Sequence, residues 1–322
     1  MPQFQENVRL SDFSNYKIGG PARFFFEAKN EKEVAWAIGE AQSKNLPIFI
    51  LGGGTNILIG DEGFHGLVLM PRLDFVQGDR KGLYAGAGTS IATLLDYSIA
   101  NSLSGLEWAG GLPGTLGGAI RGNAGCFGGE MKDVIQSVRS FNRETMSATE
   151  HTNTECAFGY RDSMFKKSGS EIILSAVVQF KKGDGAAIQK AIAEKQAYRN
   201  ERHPLEYPNI GSMFKNVPLD MVCEKESEEY EKAVQDGKFA YQGSEFTVKT
   251  DPFPVISAAK LISESGVRGV VSGGAMISEK HPNFIVNTGG ATAADVKNLI
   301  ALMKAAVAEK FSITLEEEPE IL

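Results

Sequence analysis

Residues 51–56 read Leu51-Gly52-Gly53-Gly54-Thr55-Asn56, directly after the apolar run "LPIFI", which has the length of a strand. A plain tight turn is satisfied by two glycines. Three in succession strip the Cβ atoms from a stretch of backbone, so that consecutive N–H groups can converge on an anion. Thr55 and Asn56 add side-chain donors at its far end. A second glycine-rich wall, "GLPGTLGGAIRGNAG", stands at 111–125. Pro113-Gly114 reads there as a turn, Thr115 as a donor, and Gly117, Gly118 and Ala119 as a surface open to close approach. Two such walls fit a large flat cofactor with a diphosphate, namely a flavin dinucleotide.

A competing signal lies in "GAGTSIA", where Gly86 and Gly88 follow one predicted strand and precede a helix. This opens like a dinucleotide fingerprint, but Ile91 stands where the third glycine belongs. No acidic residue sits at the ribose position, and the P-loop pattern is absent. Glycine is 36 of 322 residues, above the usual ~7%, and it falls in clusters rather than in a linker-like period. The formal net charge of −7 argues against non-specific nucleic-acid binding, which needs a basic face. Cys126, Cys156 and Cys223 are widely spaced without a CxxC, so neither a disulfide framework nor a metal site is expected, and a reducing compartment is. The first residues lack a basic n-region and an apolar h-region. No stretch approaches the ~18 apolar residues of a membrane span, so a cytoplasmic protein without membrane insertion is expected.

Strands and helices are interleaved along the chain, which predicts an α+β or α/β protein. "ARFFFEA", "LPIFIL", "GLVLMP", "LYAGAG" and "EIILSAVVQF" read as strands. Asn30 is the expected N-cap of a helix with Glu33 in the capping-box position. A helix is expected over "TSIATLLDYSIANSLSG", and another over "GAAIQKAIAEKQAYRNERH". Thr292 and Asp295 open the strongest helix, whose Val296, Leu299, Ile300, Met303 and Val307 form one apolar stripe. A domain junction is expected in the charged, proline-bounded passage from Arg199 to Pro208. The acidic stretch within Val217–Pro254 reads as a surface insertion or lid, and "SITLEEEPEIL" as a final strand.

The motifs "YKIGGPARFF", "LGGGTNILI", "GLEWAGGLPGTLGGAIRGNAGCFGGE", "FGYRDSMFK", "PLEYPNIGSMFKN", "GGAMISEKHPNFIVNTGGATAADV" and "LEEEPEI" occur in this order from about Tyr16 to Glu320. This series resembles the UDP-N-acetylenolpyruvoylglucosamine reductase (MurB) family. The resemblance implies an α+β chain with an FAD-binding fold of the vanillyl-alcohol-oxidase type in two subdomains, 1–71 (rejoined by 311–322) and 72–198, and a C-terminal α/β substrate domain, 199–310. It further implies non-covalent FAD, NADPH as co-substrate, and reduction of the enolpyruvyl ether of UDP-N-acetylglucosamine enolpyruvate to UDP-N-acetylmuramate, in peptidoglycan precursor synthesis.

By the same resemblance, Arg161 of "FGYRDS", Ser212 of "GSMFKN" and Glu320 of "EEPEI" take the family's catalytic positions. The residue types suit the chemistry. Hydride addition to the enolpyruvyl group leaves negative charge on the neighbouring carbon and its carboxylate, which a permanently charged guanidinium stabilises with two parallel donors. A serine can protonate so basic a carbon, and a glutamic acid raised by burial can hydrogen-bond the carboxylate. Arg161, Arg202, Lys215 and Asn216 match substrate-binding positions, while His281 reads as structural. Two departures stand out. The loop after "YRDS" that carries a tyrosine in one branch of the family is missing. Ile321 and Leu322 follow Glu320 where relatives often have an arginine.

Overall fold

Asn30 stands two residues past a strand and begins a helix. Its side chain accepts the N–H of Glu33, and the Glu33 carboxylate returns to the N–H of Lys29, so α1 (Glu31–Ser43) starts where the capping signal put it. Val34, Ala37, Ile38 and Ala41 of α1 are buried. They cover a four-stranded sheet with the spatial order Gln5–Arg9, Pro21–Ala28, Phe64–Pro71, Ile48–Ile50. The last three strands run parallel. The computed structural model describes residues 2–78, 82–250 and 253–322.

A second, antiparallel sheet has the order Ser147–Thr152, Ile135–Asn142, Glu171–Val178, Leu83–Gly86, Val76–Gly78. Phe141, Ile172 and Leu174 of this sheet share one apolar cluster with Phe26, Leu67 and Leu69 of the first, which joins the sheets into a single unit. Against its other face pack α2 (Ile91–Ala100), α3 (Leu116–Arg121), α4 (Met164–Ser168) and the first half of α5 (Gly185–Arg202). Gly86 and Gly88 have a mundane use here. A Cβ on Gly86 would meet the carbonyl oxygen of Leu73, and one on Gly88 that of Pro71 at 2.8 Å, so these glycines let two backbones pass.

By contacts, this first unit comprises Met1–Phe13, Pro21–Thr55 and Gly63–Glu201; the second comprises Ser14–Gly20, Asn56–Glu62 and Arg202–Leu322. The short stretches 14–20 and 56–62, which the sequence reading groups with residues 1–71, belong to the second unit. Asp61 shows why: its carboxylate accepts the N–H groups of Ala293 and Ala294 at 2.8 and 3.0 Å, capping α8 (Ala293–Phe311) alongside the Thr292–Asp295 box. Among the described residues, the α-helices lying wholly within this unit are α6 (Glu228–Asp236), α7 (Ala258–Glu264) and α8.

The segment 217–254 is not a surface excursion. Val217–Pro218, Val255–Ile256, Ser244–Lys249 and Lys238–Tyr241 form a four-stranded sheet, and Val217, Leu219, Tyr230, Ala233, Phe239 and Phe246 join Leu299, Met303 and Phe311 of α8 in one core. The acidic run misled because it lies just before α6 and on its outer side, while Tyr230 and Ala233 of the helix point inward. Asp251 and Pro252 lie outside the described residues. The final stretch is strand only at Glu320–Ile321, paired in parallel with Ile57–Leu58. Among the described residues no helix is long and apolar enough to cross a membrane.

Candidate active site

In the first unit the two glycine walls touch. A Cβ on Gly53 would come within 2.9 Å of the Gly114 Cα, one on Gly52 within 3.3 Å of Thr115 Oγ1, and one on Gly114 within 2.9 Å of Thr55 Oγ1. Gly54 and Gly114 also adopt positive φ, +64° and +108°. The N–H groups of Gly52, Gly53, Gly54 and Thr55 have no hydrogen-bond partner among the described residues, although Leu51 just before them is fixed to Leu69. Consecutive unpaired donors on a floor without side chains fit a diphosphate. Within the second wall the residues diverge. Gly117 packs on Ala87 and donates to its carbonyl, and Ala119 is buried in the core, so these two hold α3 to the sheet. Asn56 is exposed, and its carbonyl accepts the N–H of Glu320.

Arg161 follows at the apex of a turn closed by reciprocal backbone bonds between Gly159 and Asp162. Its φ of +55° is a left-handed conformation that costs a non-glycine residue energy, here held at a candidate functional position. Its guanidinium donates to the Gly125 carbonyl at 2.8 Å and lies over the Tyr160 ring, and Lys166 Nζ reaches its own carbonyl. Cys126, next to Gly125, accepts from Arg199 Nη2 at 2.9 Å. Burial pushes the Cys126 thiol up, while Arg199 and Arg161 pull against that rise, which marks the region as cationic.

In the second unit Ser212 follows Gly211 (φ +87°) and precedes a strip clamped on both sides. On one side, the Asn283 amide exchanges two bonds with the Phe214 backbone, and the Asn283 carbonyl takes the Met213 N–H. On the other, Lys215 N–H donates to Glu316 and Glu318 N–H to Met213, an antiparallel bridge centred on Phe214 and Glu317. The Ser212 hydroxyl has no hydrogen-bond partner among the described residues, so nothing in this unit activates it as a nucleophile. Lys215 Nζ pairs with Glu316 at 2.5 Å, and Asn216 Oδ1 takes the first N–H of α7, that of Ala258. Arg202 is exposed at the end of α5. Glu320 is exposed, whereas Glu318, across from Met213, is half-buried. Sequence reading passed over Glu318 because three glutamates in a row give no register.

His281 is half-buried against His203 and Phe284. Its Nδ1 is unpartnered, and burial drives the imidazole down to about 4. A cavity of about 240 Å³ in the first unit, lined by Lys29, Glu31, Tyr84 and Arg139 among others, includes none of the candidate residues, and its Arg139 is spent on Glu31.

Known proteins resemble this chain along nearly its whole length. Residues 22–144 match the family model "FAD binding domain", and residues 203–322 match "UDP-N-acetylenolpyruvoylglucosamine reductase, C-terminal domain". The chain is 36% identical over 322 residues to the UDP-N-acetylenolpyruvoylglucosamine reductase of Lachnoclostridium phytofermentans, covering 98% of this chain and 92% of the relative. It is 36% identical over 321 residues to that of Carboxydothermus hydrogenoformans, covering 98% and 93%. The crystal structure of UDP-N-acetylenolpyruvylglucosamine reductase (MurB) from Thermus caldophilus superposes with a TM-score of 0.75 at 29% identity, over 99% of this chain and 98% of that one.

Proposed function

The chain belongs to the UDP-N-acetylenolpyruvoylglucosamine reductase family, an FAD- and NADPH-dependent oxidoreductase of peptidoglycan precursor synthesis, and on that premise we propose how its residues divide the work. Gly52, Gly53, Gly54 and Thr55, with Gly114, Thr115 and Gly118, hold the FAD diphosphate; Asn56, Pro113, Gly117 and Ala119 shape the walls around it. Bound FAD supplies the hydride. Arg161 takes the carboxylate of the enolpyruvyl group and stabilises the charge that develops there. Ser212 gives a proton to the carbon that becomes carbanionic. Arg202, Lys215 and Asn216 bind the UDP-sugar of UDP-N-acetylglucosamine enolpyruvate. We place the protein in the cytoplasm, and in the branch without the tyrosine loop, since α4 and the strand Glu171–Val178 follow Asp162 almost at once.

The observation that carries the serine assignment is its setting: a hydroxyl without a partner on a strip whose backbone is fixed from both sides. The glutamate has two readings. Glu320 is the residue the motif assigns. Glu318 is favoured by its half-burial and by its pairing with Met213, the neighbour of Ser212. Comparing Glu318→Gln with Glu320→Gln decides between them: the working carboxylate is the one whose loss slows turnover of the UDP-sugar.

Ser212→Ala tests the function. NADPH oxidation in the first half-reaction is expected at the wild-type rate. The second, driven by UDP-N-acetylglucosamine enolpyruvate, is expected to slow by about 10²–10⁴-fold, the usual worth of a general acid. Stopped-flow traces showing both half-reactions unchanged would remove Ser212 from the mechanism.

A further inference from the structure

We propose that Asn123 is a positioning residue that holds Arg161 in register; this rests on the reading of Arg161 as the carboxylate-binding group. The segment Arg121–Gly125 runs alongside the Arg161 turn and is stitched to it at alternate residues. Ser163 Oγ donates to the Arg121 carbonyl at 2.7 Å, Asn123 Nδ2 to the Gly159 carbonyl at 2.8 Å, and Arg161 Nη2 to the Gly125 carbonyl at 2.8 Å. At its two ends the segment takes part through the backbone carbonyls of Arg121 and Gly125. At Asn123 the side chain makes the stitch.

That side chain is locked. Asn123 is fully buried with φ +40°, a conformation that asparagine tolerates better than most residues. The second Nδ2 hydrogen goes to Glu130 Oε2 at 2.9 Å, and Oδ1 accepts the Lys132 N–H at 3.0 Å. Glu130 is in turn fixed by the Lys132 ammonium at 2.8 Å. Both donors of one amide are therefore committed, one to a buried carboxylate and one to the carbonyl two residues before Arg161. Arg161 itself sits in a left-handed conformation that its own sequence does not favour. Fixing the Gly159 carbonyl holds one end of that turn, and the guanidinium bond to Gly125 holds the other. Because the same segment continues from the glycine wall at Gly114–Gly118, Asn123 ties the register of Arg161 to the cofactor floor.

Asn123→Gly keeps a backbone that accepts positive φ and deletes only the amide. In the FAD-loaded protein we expect the NADPH half-reaction to stay at the wild-type rate. Oxidation by UDP-N-acetylglucosamine enolpyruvate should fall by about 10²-fold, the penalty for a displaced positioning group. In an Arg161→Ala background the glycine variant should add nothing, because its effect passes through the guanidinium. Asn123→Asp combined with Glu130→Gln covers the case in which the glycine variant fails to fold. The reversed pair still bonds to each other, but the introduced carboxylate cannot donate to the Gly159 carbonyl, so the same selective loss is expected. A double variant that keeps the wild-type second half-reaction, or an additive loss in the Arg161→Ala background, overturns the proposal. If Arg161→Ala alone turns over substrate normally, the reading of Arg161 falls and takes this proposal with it. If only the Asn123 variants are silent, that reading stands and the positioning role does not.

Discussion

The glycine floor of the first unit and the serine strip of the second are held by opposite means. In the first, the floor at Gly52–Thr55 and Gly114–Gly118 is bare backbone, and its specificity lies in what has been removed: a single methyl on Gly53 would lie 2.9 Å from the facing chain. In the second, the serine strip is ordinary extended chain, kept in place by a buried amide at Asn283 and by three residues near the C-terminus. A site made of missing side chains fails by losing its ligand while the fold survives. One made of clamps fails by losing the fold around it.

Four substitutions press on that contrast. Asn283→Ala removes the clamp and leaves the buried N–H and carbonyl of Phe214 without partners, each costing ~1–3 kcal/mol, so a loss of about 2–6 kcal/mol in unfolding free energy is expected. Denaturant titration read in the second unit checks it, and an unshifted midpoint would mean that the C-terminal residues hold the strip alone.

His281 sets a pH dependence for the same unit. Burial depresses its folded value from 6.5 to about 4, so between these limits the unfolded chain binds a proton that the folded one refuses. Stability should be unaffected above pH 6.5, decline as pH falls towards 4, and level off below, by about 3 kcal/mol in all. His281→Leu should flatten that slope; a slope that persists assigns it to other groups.

Gly53→Ala is the counterpart in the first unit. The apoprotein relieves the clash by moving the two walls apart, and bringing them back around FAD costs ~1–3 kcal/mol of strain, which predicts FAD affinity weaker by roughly 5- to 150-fold with little change in the apoprotein's unfolding. Fluorescence titration with FAD checks the first part and thermal unfolding the second. The smallest effect belongs to Asp61→Ala, which deletes one of two caps on α8 and should cost about 1 kcal/mol, seen as faster amide exchange at Ala293 and Ala294.

The contrast also explains what could be read without a structure. Glycine runs announce a backbone site because few other pressures cluster them, so the floor at 52–55 was legible. The helices were legible where caps and stripes agreed, as at Asn30 and Thr292. The strip's register was not, because Glu316, Glu317, Glu318 and Glu320 are chemically alike and only pairing with Met213 and Lys215 tells them apart. Segment 217–254 was misread because charge on the exposed side of α6 outweighed the spaced apolar residues beneath it. Asn123 lay in a quoted motif, yet its task depends on a carbonyl 36 positions away, which no local pattern reveals.

The chain changes unit five times, after Phe13, Gly20, Thr55, Glu62 and Glu201. The second unit therefore borrows residues made early and waits for those made much later: Ile57–Leu58 pair with Glu320–Ile321, closing a loop of about 260 residues. During synthesis the helix that Asp61 caps does not yet exist when Asp61 leaves the ribosome, and the partner of Leu58 emerges later still. Non-local pairing of this kind is slow, and it leaves unpaired edges and apolar surface exposed until it completes. The first unit has all of its chain by Glu201 and can assemble around its glycine floor while the second is still being made. The first unit can thus complete its fold, glycine floor included, before the serine strip of the second has been made.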